Sequence, residues 1–417
     1  MGQYIIEGKK RLNGSVTIQG AKNSALPILA ATVAVGKQCL IHNCPELTDI
    51  FSTISILKSL GCEVHRKGSS VSVDSSRLDS NVISDELMRK SRSSVTFLGA
   101  LISRTGEAVI SSPGGCDIGV RPIDLHLRAI QKLGVQVSEC GGQIICRCGK
   151  LHGNKIALSF PSVGATENII LASLRARGVT TIINAAREPE IVDLAKFLNA
   201  CGAKISGAGE STIQIVGTDD FRSAQYSIIP DRIVAATYMA AAAVTGSDII
   251  IDGIIPNHLL PIIPCFEQAK CKISISSNKL RITSPARLSG MEPIRTMPYP
   301  GFPTDCQAII MAMASAADGT TLVSENIFEN RFKHVCELNR MGAKIEICDK
   351  TAIVRGVKCL HGARVSAPDL RAGAALVVAG LCANGTTTVD DIEYIDRGYE
   401  NLCLNLKNSG ANIKRTD

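Results

Sequence analysis

Hydrophobic and polar positions recur along this chain with a period close to 70 residues, and two kinds of glycine punctuate it. The first kind closes segments of small apolar residues, at Gly36, Gly106, Gly178, Gly246, Gly319 and Gly385, with intervals of 70, 72, 68, 73 and 66. The second stands in Leu60-Gly61-Cys62, Leu133-Gly134-Val135, Cys201-Gly202-Ala203, Met341-Gly342-Ala343 and Ser409-Gly410-Ala411. The fourth copy reads Ala269-Lys270-Cys271, with lysine in the glycine position. An apolar-alternating stretch follows each, as in Lys204-Ile205 and Lys344-Ile345. Glycine between a helical and a strand pattern is a helix C-terminal cap, because it enters the left-handed region without steric cost. Each unit therefore reads helix, glycine, strand, loop, helix, glycine, strand, and the chain carries six of them.

The first helix of a unit is distinctive. Residues 25–35, 234–244 and 372–383 are apolar nearly all round and rich in alanine. Such a helix must be buried on every side, and small side chains let neighbouring helices approach closely. The second helices, such as residues 125–133 and 191–198, alternate apolar and charged positions and are amphipathic. Strands at residues 180–183 and 248–251 would then cover the buried helices. The expected fold class is α/β, with two inside-out α/β domains, each of three repeated units, and an active site in the cleft between them. The expected domains are residues 22–229, and residues 1–21 together with 230–417.

Composition agrees and narrows the function. The chain has 417 residues, 45% of them hydrophobic and 20% charged, too long for one ordinary core. The net charge is +7, from 45 basic and 38 acidic residues, and the excess is dispersed. Aromatics are 4% and tryptophan is absent, so no basic stripe with exposed aromatics suggests nucleic acid. Small anionic substrates fit better. No secretory signal is evident, Ile6 argues against myristoylation after Gly2, and the longest apolar runs are too short to span a bilayer, so the protein is expected to be soluble and cytoplasmic. The 16 cysteines are scattered, and no Cys-x-x-Cys pair occurs. Cys146 and Cys148 would share a face of one strand beside Cys140. Neither a disulfide framework nor a structural metal is expected, and no cofactor is called for.

The repeat also selects candidate site residues. Fourteen positions before the closing glycines stand Lys22, Arg92, Gly164, Arg232, Asp305 and Arg371. Charge does not belong inside an all-apolar helix, but its N-terminus can open on a cleft, where free N–H groups and the helix dipole favour anions. Before the second glycines, Arg121, Glu190, Arg331 and Arg397 occupy one strand-to-helix address in different units. A cleft floored by helix N-termini and lined with cations suits a substrate carrying phosphate and carboxylate. Asp305 is the acid among them. Held among cations it would stay ionised and could accept a proton; the simpler reading makes it an N-cap in Phe302-Pro303-Thr304-Asp305. The glycine-rich turn Pro113-Gly114-Gly115-Cys116, with Arg121 five residues on, sets one cysteine apart from the rest.

With these motifs the chain resembles the UDP-N-acetylglucosamine 1-carboxyvinyltransferase family over essentially its whole length. The most specific stretches are Gly20-Ala21-Lys22-Asn23-Ser24-Ala25-Leu26-Pro27, the Cys116 turn with Arg121-Pro122, Ser162-Val163-Gly164-Ala165-Thr166-Glu167-Asn168, Asn184 to Asp193, Phe302 to Asp305, Phe328 to Phe332, Asp369 to Ala375 and Ile395 to Glu400. The resemblance implies transfer of the enolpyruvyl group of phosphoenolpyruvate to the 3-hydroxyl of UDP-N-acetylglucosamine, with release of phosphate. That is the first committed step of peptidoglycan synthesis. It implies that Lys22, Asn23, Arg121 and Arg397 hold phosphoenolpyruvate, with Arg331 and Arg371 closing over it. Arg92, Arg121, Pro122, Ile123, Asp124, Leu125, Ser162, Val163, Asp305 and Ile327 would line the nucleotide sugar, and Gly164, Glu188 and Asp369 join the substrate-binding set. Cys116 would protonate the methylene carbon, with Gly114-Gly115 as the hinge of its lid, and Asp305 would deprotonate the sugar hydroxyl. The family's cysteine is also the one alkylated by fosfomycin.

Two departures and two rivals accompany the resemblance. Asp117 directly follows Cys116, where many relatives have a small or neutral residue, and should raise the thiol pKa. Phe160 stands where some relatives carry a lysine for the diphosphate. A transferase acting on shikimate 3-phosphate would share the fold but lack the cysteine turn. A non-catalytic regulator would keep the sugar-nucleotide site, and the set Lys22, Cys116, Asp305 and Arg397 argues against it.

Overall fold

The left-handed glycines expected at the unit boundaries are all present. A computed structural model describes residues 2–90, 92–111 and 123–416, with the side chain of residue 92 also outside the description. The closing glycines Gly36, Gly106, Gly178, Gly246, Gly319 and Gly385 have φ of 69°, 74°, 90°, 63°, 112° and 88°. The second set, Gly61, Gly134, Gly202, Gly342 and Gly410, has φ between 88° and 101°. Lys270, in the remaining copy, holds φ 69° without being a glycine. The backbone geometry of the repeat thus persists where its residue type does not.

The first helices of the six units are Lys22–Val35, Phe97–Thr105, Val163–Ser173, Arg232–Val244, Gln307–Ser315 and Leu370–Cys382. Every residue of the last is buried, including Arg371. Three of these helices start two or three residues earlier than the apolar pattern alone indicates. The charged residue supplies the first turn instead of preceding it, since the first-turn N–H groups need no partner inside the helix. The second helices are amphipathic as expected: Thr48–Ser59 buries Ile50, Thr53, Ile54 and Leu57 on one face. One of them, Asp124–Gln131, stops short of the expected residue 133, because Leu133 N–H turns back to Ile130 O in a tight turn before Gly134.

Each unit has its own sheet. Among the described residues, five sheets contain four strands, three antiparallel and a parallel fourth at the edge; the second unit has three strands and an isolated bridge, Val82 to Val109, in the fourth place. Gln3–Glu7 completes the sixth unit, pairing antiparallel with both Thr386–Asp390 and Asn412–Thr416. Ser15–Thr17 is the parallel strand of the fourth unit, against Asp248–Asp252, and Ala224–Ser227 that of the first, against Gln38–His42.

The chain divides into two compact units. One comprises residues 2–19 and 230–416 and the other residues 20–229, counting described residues. Each has a separate apolar core, built from the small side chains of its three buried helices and the inward faces of its sheets. In the second unit the helices come so close that a Cβ on Gly99 would lie 2.4 Å from the Asn168 carbonyl oxygen. Among the described residues all cysteines are free, and the strand carrying Cys146 ends at Arg147, before Cys148. No helix among the described residues is long and apolar enough to cross a membrane.

Lys270 offers a direct test of the repeat. A left-handed lysine is strained by about 1–2 kcal/mol, partly offset in Gly by a floppier unfolded chain. Lys270→Gly should therefore raise stability by about 0.5–1 kcal/mol, read as a higher urea midpoint.

Candidate active site

Asp305 lies in the 3-10 turn Thr304–Cys306, which leads into Gln307–Ser315. The N-cap reading does not hold, because the residue flanking the turn is Pro303 and no side chain caps it. The carboxylate instead accepts from two guanidinium groups, Arg331 Nη2 at 2.7 Å on Oδ1 and Arg371 Nη2 at 3.2 Å on Oδ2. Both arginine side chains are nearly sealed from solvent, at 4% and 3% exposure, while Asp305 keeps 27%. The acid is therefore the open end of a buried cationic pair.

Neighbouring elements aim the two arginines. The Arg371 guanidinium lies over the Tyr399 ring, 5.5 Å from its centroid, and Arg331 lies 5.6 Å from the Phe328 centroid. Burial works against the Arg371 charge, but Asp305, Tyr399 and Asp231 more than offset it, so its pKa rises. Asp369 caps the Leu370–Cys382 helix, accepting from Arg371 N–H at 2.9 Å and Ala372 N–H at 3.0 Å. Ile327 donates its N–H to Glu325 at 2.9 Å, and Arg397 ends the 3-10 helix Ile392–Arg397, half-buried.

The other unit presents a second group. Lys22, first residue of Lys22–Val35, sets its ammonium 3.2 Å from Asp49 Oδ2, with Asn23 half-buried beside it. Ser162 caps Val163–Ser173 through Ala165 N–H, leaving Val163 and Gly164 half-buried in the first turn. Ile123, Asp124 and Leu125 open the neighbouring helix, whose His126 packs so tightly on Gly164 that a Cβ there would meet its Cε1 at 3.0 Å. Asn168 ties the pieces together: its Oδ1 accepts from Gly99 N–H at 2.7 Å, while its amide lies 3.1 Å from Val95 O and 2.8 Å from His126 Nδ1. Glu188 flanks the start of Pro189–Ala200, and Glu190 is buried in that helix's first turn. Phe160, expected to stand where some relatives carry a lysine, is exposed. Cys116, Asp117, Arg121 and Pro122 lie outside the described residues, as does the Arg92 side chain.

Two buried acids escaped the sequence pattern. Glu325 accepts from Thr296, Thr304 and the N–H groups of Ile327 and Phe328, at 2.8, 2.9, 2.9 and 3.1 Å, and so fixes the turn before Asp305 to the turn before Arg331. An acid directly after the apolar strand Thr320–Ser324 was the available signal. Glu167 is buried against Thr96, and burial pushes its pKa up to about 8, with Thr96 opposing and Glu190 and Glu188 adding to it.

The family is shown by comparison with known proteins. The family described as EPSP synthase (3-phosphoshikimate 1-carboxyvinyltransferase) matches residues 6–406. The crystal structure of the enolpyruvyl transferase NikO from Streptomyces tendae superposes with a TM-score of 0.91 at 25% identity, over 100% of this chain and 99% of that one. The chain belongs to this family of enolpyruvyl transferases. Its place within the family follows from its relatives. It is 50% identical, over 415 residues and 100% of both chains, to UDP-N-acetylglucosamine 1-carboxyvinyltransferase 2 of Caldanaerobacter subterraneus subsp. tengcongensis. It is 48% identical to UDP-N-acetylglucosamine 1-carboxyvinyltransferase 1 of Carboxydothermus hydrogenoformans, over 100% of this chain and 99% of that one.

Glu167 sets a pH dependence. An acid whose pKa is raised on folding binds more protons folded than unfolded, so stability falls as pH rises from the free value near 4.5 to about 8. Glu167→Gln keeps an acceptor for Thr96 and should flatten that decline, so that its melting temperature exceeds wild type by more at pH 8 than at pH 5.

Proposed function

We propose that this chain transfers the enolpyruvyl group of phosphoenolpyruvate to the 3-hydroxyl of UDP-N-acetylglucosamine and releases phosphate, the committing step of peptidoglycan synthesis, in the cytoplasm. Full-length relatives at 48–50% identity carry this activity in their names. The observation that best supports the chemistry is Asp305 with Arg331 and Arg371 on its two oxygens.

The reaction adds O–H across the enol double bond and then eliminates phosphate. The hydroxyl oxygen attacks C2 while C3 takes a proton, giving a tetrahedral intermediate that still carries phosphate. Asp305 accepts the hydroxyl proton, and Cys116 donates the proton to C3, a thiol of ordinary pKa being mostly protonated at neutral pH. Loss of a proton from C3 and of phosphate from C2 restores the double bond. Arg331 and Arg371 exchange part of their contact with Asp305 for the phosphate and carboxylate of the substrate. Cation density at the donor then stabilises charge that builds in the intermediate. Lys22 and Asn23 sit at a helix N-terminus, where the dipole favours the same anions, and Arg121 and Arg397 complete that grip. Arg92, the run from Arg121 to Leu125, Ser162 to Gly164, Glu188, Ile327 and Asp369 form the sugar-nucleotide side. No step needs a metal or cofactor.

Phosphate release from phosphoenolpyruvate, measured with and without UDP-N-acetylglucosamine, tests the reading. Release dependent on that acceptor is expected; its absence, or equal release with shikimate 3-phosphate, would refute it. Cys116→Ser should lose most of the activity, and full retention would remove the thiol from the mechanism. Asp305→Asn keeps the size and shape but not the base, and sets an NH2 group where one arginine needs an acceptor oxygen; it should lower kcat by about 10²–10⁴-fold.

A further inference from the structure

Asp193 carries no role in the reaction above, yet it is 1% exposed and fully engaged. It lies on Pro189–Ala200, and its carboxylate collects three donors from three other segments. Ser24 Oγ donates to Oδ2 at 2.5 Å, the Tyr226 hydroxyl to Oδ1 at 2.5 Å, and Ile229 N–H to Oδ2 at 3.3 Å. Ser24 belongs to the first turn of Lys22–Val35, and Tyr226 to the strand Ala224–Ser227. Ile229 closes a ring, because its carbonyl accepts the N–H of Ala21, the residue flanking Lys22, at 2.8 Å. The two residues on either side of Lys22-Asn23 are therefore both tied to one carboxylate, Ser24 directly and Ala21 through Ile229. Phe197, one helical turn beyond Asp193, meets the Tyr226 ring edge-on at 5.7 Å and holds the phenol in place.

A packing role alone does not account for this acid. Burial pushes its pKa up, the three donors pull it back, and Glu190 adds to the rise. An apolar residue of similar volume would fill the same space without that penalty. What a carboxylate adds is direction, since it fixes the orientation of each donor it accepts.

We propose that Asp193 is a positioning residue for enolpyruvyl transfer, setting the first turn of Lys22–Val35 so that Lys22 and Asn23 meet the anionic substrate in one orientation. The inference rests on the reading that these two residues hold phosphoenolpyruvate. It separates the oxygen of Asp193 that serves the substrate, Oδ2 toward Ser24, from the oxygen that serves the fold, Oδ1 toward Tyr226.

Steady-state kinetics on three full-length variants, with urea midpoints alongside, test it. Ser24→Ala should raise KM for phosphoenolpyruvate by about tenfold, equivalent to about 1.4 kcal/mol, leaving KM for UDP-N-acetylglucosamine near wild type, with the midpoint lowered as the buried carboxylate loses a donor. Tyr226→Phe should lower the midpoint with both KM values unchanged, and Asp193→Asn should show both effects. Unchanged KM for phosphoenolpyruvate in Ser24→Ala, or an equal rise for both substrates, overturns the proposal while leaving the reaction intact. A wild-type chain that releases no phosphate from these substrates overturns the functional reading and this inference together.

Discussion

A helix buried on every side can carry charge only at its ends, and this constraint organises the molecule. The three buried helices of each unit are lined with alanine and other small residues so that they can pack together beneath their sheets. Their side chains leave no room for ions along the shaft. The first turn is different, because its N–H groups lack partners within the helix and the dipole is positive there. Lys22, Gly164, Arg232 and Arg371 all sit in such first turns, and Asp305 in the 3-10 turn that opens another. Six copies of one scaffold thus offer six equivalent addresses, and differences among the residues placed there create chemistry.

The same constraint accounts for how Asp305 is held. An isolated buried arginine is strongly disfavoured, and Arg331 and Arg371 are almost sealed. Removing one partner of a buried pair costs about 3–5 kcal/mol, so the carboxylate is held firmly where it is. Glu325 repeats the logic with neutral donors, locking the turns that carry Asp305 and Arg331 into one piece.

Much of this was legible in the chain because the repeat makes the burial constraint visible six times over. The residue fourteen before each closing glycine, charged in five of the six copies, stands where the helices begin, and Asp305, expected among cations, has Arg331 and Arg371 on it. The apolar pattern placed three helix starts late, because it ends where the charge begins. Asp193, Glu325, Glu167 and Asn168 were not legible as network centres, although three of them stand in the motifs. The partners of Asp193 and Glu167 are remote: Ser24 is 169 positions from Asp193, and Thr96 is 71 from Glu167. No local pattern records such pairings. Lys270 shows the reverse case, a position whose residue breaks the pattern while its backbone obeys it.

The strand Gln3–Glu7 has a consequence for how the molecule is made. Both of its partners, Thr386–Asp390 and Asn412–Thr416, follow it by several hundred residues. At about 5–20 residues per second, it waits roughly 20–80 s for them. Residues 20–229 can complete their own core in that time. The other unit lacks the partners of Gln3–Glu7 until residues 386–416 have emerged, and an unpaired strand has two free edges. Its sixth sheet therefore cannot close before both later strands have been made.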